Sequence, residues 1–180
     1  CDINEFVSSV IEEMVPLLDR PFAFFGHCLG GLTLYETARA LMTRTHHKPR
    51  HIFCSGARPP DRTRVFGKFE ERLAQKIRTM KGYKAGIPPY RQPDRIFAEI
   101  IRQFDMAATD QFLDDKELRK LMLPAIRAEF EMTSMYEHTP ERPLDVPITC
   151  FVSKGDPYVS REDVLGWGRF TNSRMQVYMR

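Results

Sequence analysis

The sequence predicts an α/β fold organised on a parallel sheet, and three observations predict it. An apolar run, Phe22-Ala23-Phe24-Phe25, passes through a glycine-flanked turn into a segment with Leu32, Leu34, Ala38, Leu41 and Met42 at helical spacing. Strand-like segments recur at Ile52-Phe53-Cys54-Ser55-Gly56 and Ile148-Thr149-Cys150-Phe151-Val152. The order helix, strand, turn, helix, strand is the one that builds parallel sheets with helices packed on them.

The elements follow in chain order. Asp2 with Glu5 reads as a capping box. Behind it Ile3, Phe6, Val7, Val10, Ile11, Met14 and Leu18 share one helical face, and Pro16 and Pro21 bracket the end of that helix. The strand Phe22–Phe25 is too apolar to have a solvent face, as expected inside a parallel sheet. The helix after the turn extends to about Thr43. Thr45-His46-His47-Lys48-Pro49 is a polar connection; its adjacent histidines could bind a metal, but loop neighbours without a third ligand are more often simply solvated. Ala57-Arg58-Pro59-Pro60 leaves the second strand.

From residue 61 to residue 138 the pattern is helical throughout. Phe66, Phe69, Leu73, Ile77 and Met80 lie on a first, basic helix, and glycines and prolines from Gly82 to Pro93 mark a loop. Ile96, Phe97, Ile100, Ile101 and Phe104 form a second helix. Leu118, Leu121 and Met122 form a third that Pro124 ends, and Ile126, Phe130, Thr133 and Tyr136 form a fourth. The domain reading is therefore a sheet core at 1–60 and 139–180 with a helical insertion at 61–138, where a lid over a substrate channel would sit. A helical subdomain that only packs is the plainer alternative. After Ile148–Val152, Ser160 with Asp163 caps a helix running from Val164 to Phe170, and Met175–Met179 is a last strand.

The chemistry-bearing motif is Gly26-His27-Cys28-Leu29-Gly30, the nucleophile-elbow pattern G-x-S-x-G with cysteine in the serine position. A nucleophile at the top of a parallel strand must sit on a very tight strand-to-helix turn, in a strained backbone conformation. Gly26 and Gly30 are expected to remove Cβ atoms that would clash there. The helix N-terminus aimed at Cys28 favours its thiolate, and the N–H of Leu29 faces the place where an oxyanion would form. A buried structural cysteine in an ordinary strand–turn–helix is the competing reading. Asp156 lies just past the C-terminal end of the strand Ile148–Val152, the edge where catalytic groups of open α/β sheets gather. It could hold an imidazole in one tautomer, or it could be a plain Gly-Asp-Pro turn.

Composition bounds the rest. With 180 residues and 42% hydrophobic residues the chain is one domain or most of one. No apolar run approaches the ~20 residues of a membrane span, and no signal-peptide pattern opens the chain. The opening at Cys1 and the stop inside the last strand point to an excised or incomplete domain. Cys1, Cys28, Cys54 and Cys150 show no C-x-x-C spacing, and Cys54 and Cys150 inside strands suit buried thiols in a reducing cytoplasm. The net charge of +3 does not imply nucleic acid. Between Arg58 and Arg102, however, twelve basic residues stand against five acidic ones, a surface that could steer an acidic partner or merely be solvated.

The segments Phe24–Gly31, Ser55-Gly56-Ala57-Arg58-Pro59-Pro60, Leu123–Phe130 with Tyr136, Pro147-Ile148-Thr149, and Gly155-Asp156-Pro157-Tyr158-Val159-Ser160 with Trp167 together resemble the type II thioesterases that serve nonribosomal peptide and polyketide synthases. The resemblance implies an α/β-hydrolase-type parallel sheet, incomplete at both ends, with an inserted helical lid. It implies hydrolysis of acyl or peptidyl groups from the phosphopantetheine of a carrier protein, with Cys28 as nucleophile and Asp156 as acid. It implies no cofactor beyond that phosphopantetheine, no metal, no nucleic acid and no membrane. Basic residues of the insertion, Arg72 and Lys76 foremost, are expected to dock the acidic carrier protein.

The sequence departs from that family in four respects. Cysteine stands where serine is usual. The segment from Lys68 to Pro93 is longer than the usual lid. The first strands are absent, together with the loop that gives a second oxyanion N–H. The histidine of the triad is expected beyond Arg180, since His27, His46, His47, His51 and His138 all precede Asp156. An acyltransferase or cyclase on the same scaffold and a non-catalytic carrier-binding module are the alternatives. A generic esterase fits the elbow but not the basic insertion.

Overall fold

The computed structural model describes residues 2–62, 77–103 and 109–180. Two compact units divide the chain, one of residues 2–63 and 136–180, the other of residues 64–135.

The first unit holds a four-stranded parallel sheet in the order β1-β2-β3-β4, with β1 at Phe24–His27, β2 at Ile52–Ser55, β3 at Ile148–Val152 and β4 at Met175–Met179. The register pairs Gly26 with Cys54 and Cys54 with Cys150, so the two buried cysteines are cross-strand neighbours. A hydrogen bond with Cys150 and burial push the Cys54 thiol well above its ordinary value. β1 starts two residues later than the apolar run suggests, and it ends two residues later, since Gly26 and His27 still pair with β2.

Alternation along the strands separates two faces. One carries Ile52, Cys54, Ile148, Cys150 and Val152, all buried, against Leu34, Tyr35 and Ala38 of helix α2, Leu29–Arg44. Tyr35, Trp167 and Phe170 pack edge to face there, with centroids 5.4 to 5.9 Å apart. Burial and the neighbouring Glu36 carboxylate raise the Tyr35 hydroxyl to about 12. The opposite face bears stacked rings of Phe53, Phe151 and Tyr178. Phe25 lies 67% exposed. The expectation that the first strand has no solvent face is thus corrected: apolar composition says which residues tolerate burial, whereas the layer that covers them is a tertiary matter.

Helix α1, Ile3–Met14, buries Ile3, Val7 and Ile11 and packs on α2. Asp2 caps it by accepting from the amide of Asn4 rather than through a reciprocal box with Glu5. The chain returns from the helical unit through a buried polar cluster. Tyr136 donates its hydroxyl hydrogen to Glu36 Oε1 at 2.6 Å, and Glu36 Oε2 pairs with Arg39 at 2.6 Å. Burial and that carboxylate raise the Tyr136 hydroxyl strongly. Among the described residues no helix is long and apolar enough to cross a membrane.

The second unit is helical. Helix α3, Asp94–Arg102, buries Phe97 and Ile101 with Leu113 of α4, Thr109–Asp114, and Leu123 of α5, Lys116–Met135. Gln92, 2% exposed, ties the preceding loop by bonding both the amide and the carbonyl of Lys84 and the carbonyl of Ile87. The Arg127 guanidinium lies 4.3 Å from the Phe97 ring centroid and bonds the Gln92 carbonyl. Of the expected basic helix with Phe66, Phe69, Leu73, Ile77 and Met80, the part up to residue 76 lies outside the described residues, as do Arg72, Lys76, Phe104 and Cys1.

The third and fourth helices expected on either side of Pro124 are one helix. Proline removes the bond to the Lys120 carbonyl, at a cost of about 3 kcal/mol. The continuous stripe Leu123, Ile126 and Phe130, packed on Phe97 and Leu113, outweighs it. Tyr136 falls outside that helix. Pro124→Ala is therefore expected to stabilise the protein by roughly 1–3 kcal/mol, read as a higher denaturant midpoint for loss of helicity.

Candidate active site

Cys28 sits between the last residue of β1 and the first of α2 with φ 54° and ψ −119°, and it is the only described residue other than glycine at positive φ. Such a conformation costs on the order of 1–3 kcal/mol and persists only where the surroundings enforce it. Here they do. The Cys28 amide donates to the Ser55 carbonyl at 2.9 Å, extending the β1–β2 ladder one residue past the strand. The Gly31 amide donates to the Cys28 carbonyl at 3.0 Å, closing the first turn of α2. The side chain of Cys28 is exposed. Leu29 follows as the first residue of α2, so its N–H has no carbonyl four residues back within the helix to bind.

Glycine is required beneath this turn at two places, and only one was expected. A Cβ on Gly26 would stand 2.1 Å from Leu34 Cδ2 and 2.2 Å from the Gly30 carbonyl oxygen. A Cβ on Gly31 would stand 2.3 Å from the Cβ of Ala57. Gly30 has nothing within 4 Å of such an atom, so its expected steric role passes to Gly31. Helical rotation explains the change. Gly30 brings its backbone, not its Cα hydrogens, against β1, and the next residue faces the β2 exit loop.

That exit loop joins the elbow to Asp156. A Cβ on Gly56 would lie 3.3 Å from His27 Cε1 and 3.8 Å from Asp156 Oδ2, so an imidazole and a carboxylate converge over one backbone position. His27 Nδ1 is 3.1 Å from Ser55 Oγ. Asp156 Oδ1 accepts from the amides of Tyr158 at 2.8 Å and Val159 at 2.9 Å, an Asx-type turn that leaves Oδ2 on the Gly56 side. Beyond it, Ser160 and Asp163 form the full expected capping box. Burial alone would raise the Asp163 carboxyl, but the Ser160 hydroxyl and amide, with Arg58 and Arg62, hold it below its ordinary value.

The other histidines stand elsewhere. His51 Nε2 is 2.7 Å from Thr149 Oγ1 at the entry of the strands, where partial burial lowers its pKa. His138 lies against the Phe170 ring. His46 and His47 line an open cavity of about 620 Å³ at the same entry edge, away from Cys28. The basic excess expected of the segment from Arg58 onward is partly consumed internally. Arg62 pairs with Glu162 and Asp163, and Arg102 pairs with Glu99, Asp110 and Asp114.

Sequence reasoning quoted Gly31, Gly56, Ala57 and Arg58 only as members of segments and missed the part each plays at the site. The doubled glycine at 30–31 was a signal for the first. Nothing in the pattern showed that Ala57-Arg58 spans from the elbow to the Asp156 turn.

A residue at positive φ on a tight strand-to-helix turn is the backbone geometry of a nucleophile elbow. The thioesterase domain family matches residues 1–179. This chain belongs to that family. It is 28% identical to the gramicidin S biosynthesis protein GrsT of Aneurinibacillus migulanus, over 99% of this chain and 61% of that relative. It is 32% identical to the thioesterase PikA5 of Streptomyces venezuelae, over 83% of this chain and 46% of that one. The chain thus spans about three fifths or less of these relatives' length. The RedJ thioesterase from the prodiginine biosynthetic pathway in Streptomyces coelicolor superposes with a TM-score of 0.76 at 24% identity, covering 99% of this chain and 62% of that one. That likeness is one of fold, and the fold is that of the α/β-hydrolase thioesterases.

The two elbow glycines make opposite predictions. Gly26→Ala meets backbone that cannot move aside, and about 3 kcal/mol or more of stability should be lost. Gly30→Ala meets open space in a helix and should be neutral or stabilising by up to about 1 kcal/mol. Thermal melts of the two variants check both.

Proposed function

We propose that this thioesterase-family chain hydrolyses acyl or peptidyl thioesters carried on the phosphopantetheine of a carrier protein, through an acyl intermediate on Cys28. The observation that carries the proposal is the exposed Cys28 held at φ 54° on the elbow, with Asp156 turned toward the adjoining β2 exit. Family membership and relatives named for peptide-antibiotic biosynthesis support it.

In the proposed reaction the Cys28 thiolate attacks the thioester carbonyl carbon. The Leu29 N–H donates to the developing oxyanion. The C–S bond to pantetheine breaks and its thiolate leaves, taking up a proton. Water then adds to the Cys28 thioester as a base removes its proton, and the acid departs as Cys28 recovers its thiol. Exchange of one thioester for another is nearly neutral in energy, and a thiol needs less help from a base than a hydroxyl does. The base is proposed to be a histidine following Arg180, oriented by Asp156. The buried thiols of Cys54 and Cys150, outside any disulfide, support the proposal of a cytoplasmic setting. The helical insertion is proposed as the lid, from its place between β2 and β3.

Intact-mass spectrometry of the full-length protein with an acyl-carrier substrate should trap an acyl adduct that Cys28→Ala abolishes along with turnover. Full turnover by Cys28→Ala without an adduct would remove the covalent mechanism. Free acid as product identifies hydrolysis, whereas an amide or ester would identify transfer or cyclisation. The carrier protein is expected to dock at the basic insertion. Arg72→Glu with Lys76→Glu should raise KM for carrier-bound substrate and leave KM for a small thioester unchanged, in steady-state assays run side by side at low salt.

A further inference from the structure

We infer that Arg58 is a positioning residue for Asp156, holding the turn that aims its carboxylate. The inference rests on the reading of Asp156 as the acid and goes one layer beneath it. Asp156 Oδ1 is fixed by the amides of Tyr158 and Val159, so the direction of Oδ2 follows the conformation of residues 156–159. On one side that turn begins at Gly155, whose surroundings are open. On the other it is anchored by Val159, 6% exposed, and by the Ser160–Asp163 box. Between them, the Tyr158 carbonyl is gripped from another element. Arg58 donates to it from Nε at 2.9 Å and from Nη2 at 2.5 Å, while Nε lies 3.6 Å from Asp163 Oδ2.

Arg58 is itself held in place. The preceding residue, Ala57, is wedged against Gly31 in the first turn of α2, so closely that no side chain fits there. Its carbonyl accepts from Trp167 Nε1 at 2.9 Å, and Trp167 is fully buried. Two consecutive residues therefore contact the helix that follows Cys28 and, through the guanidinium, the turn that carries Asp156. The spacing between thiol and carboxylate is set by this link. Only a planar fork with several N–H groups can place two donors on one carbonyl while keeping a contact to a carboxylate; an ammonium has a different reach and geometry. Displacement of a reacting group by about 1 Å costs up to about a hundredfold in rate.

The test is a double-mutant cycle in the full-length protein, assayed with a small acyl thioester so that carrier docking does not enter. Arg58→Ala should lower kcat by roughly tenfold to a hundredfold with KM little changed, and added guanidinium should restore part of the loss. Arg58→Lys should fall between wild type and Arg58→Ala, and it carries the comparison should the alanine variant not fold. In an Asp156→Asn background, Arg58→Ala should cost nothing further and guanidinium should rescue nothing. A loss that multiplies that of Asp156→Asn, or a folded Arg58→Ala with wild-type kcat, overturns the positioning role alone. Full activity of Asp156→Asn overturns the reading of Asp156 beneath it.

Discussion

One constraint organises the sheet unit: the approach of the first turn of α2 to the end of β1. The Gly30 carbonyl lies where a side chain on Gly26 would begin, and this closeness bends the chain sharply enough to put Cys28 at φ 54°. The strain is local and its support is distributed. The Ser55 carbonyl holds one side of Cys28, the Gly31 amide the other, and the buried packing of Leu34, Tyr35 and Ala38 on β1–β3 keeps the helix from backing away. The backbone beneath the exposed Cys28 side chain is thereby fixed by the fold.

The β2 exit is the second organising element. Ser55 bonds the elbow backbone, Gly56 leaves room for His27 and Asp156, Ala57 packs under α2, and Arg58 reaches the far loop. Trp167 closes the arrangement from below with its single N–H. Four consecutive residues thus serve two loops that are distant in sequence. Parallel strands deliver all their exits to one edge, which is why ligand and catalytic groups collect there in open α/β sheets.

Much of this was legible in the residues. β3 and β4 fall where apolar runs bounded by proline and turn residues put them, and the capping box at Ser160 and Asp163 is a local hydrogen-bond pattern that four consecutive residues suffice to specify. The elbow was legible because its sequence serves a steric purpose at a fixed spacing. Pro124 was misleading: a local rule about a missing donor lost to a long apolar stripe that buries Leu123 and packs Phe130 on Phe97. The exposure of Phe25 was illegible, because a strand's composition does not say what covers each of its faces.

By itself the sequence determined the parallel α/β arrangement, through the order of its helices and strands, and the place of Cys28 on its turn and of Asp156 past a strand end, since these two depend on residues within one turn or one strand. The tertiary structure decided which glycine makes the close contact, that Ala57 and Arg58 connect elbow and acidic turn, and that Tyr136 seals the return from the insertion onto Glu36. These are contacts between segments up to 100 residues apart. They arise from how the elements stack, and no periodicity or spacing along one segment encodes the partner on another.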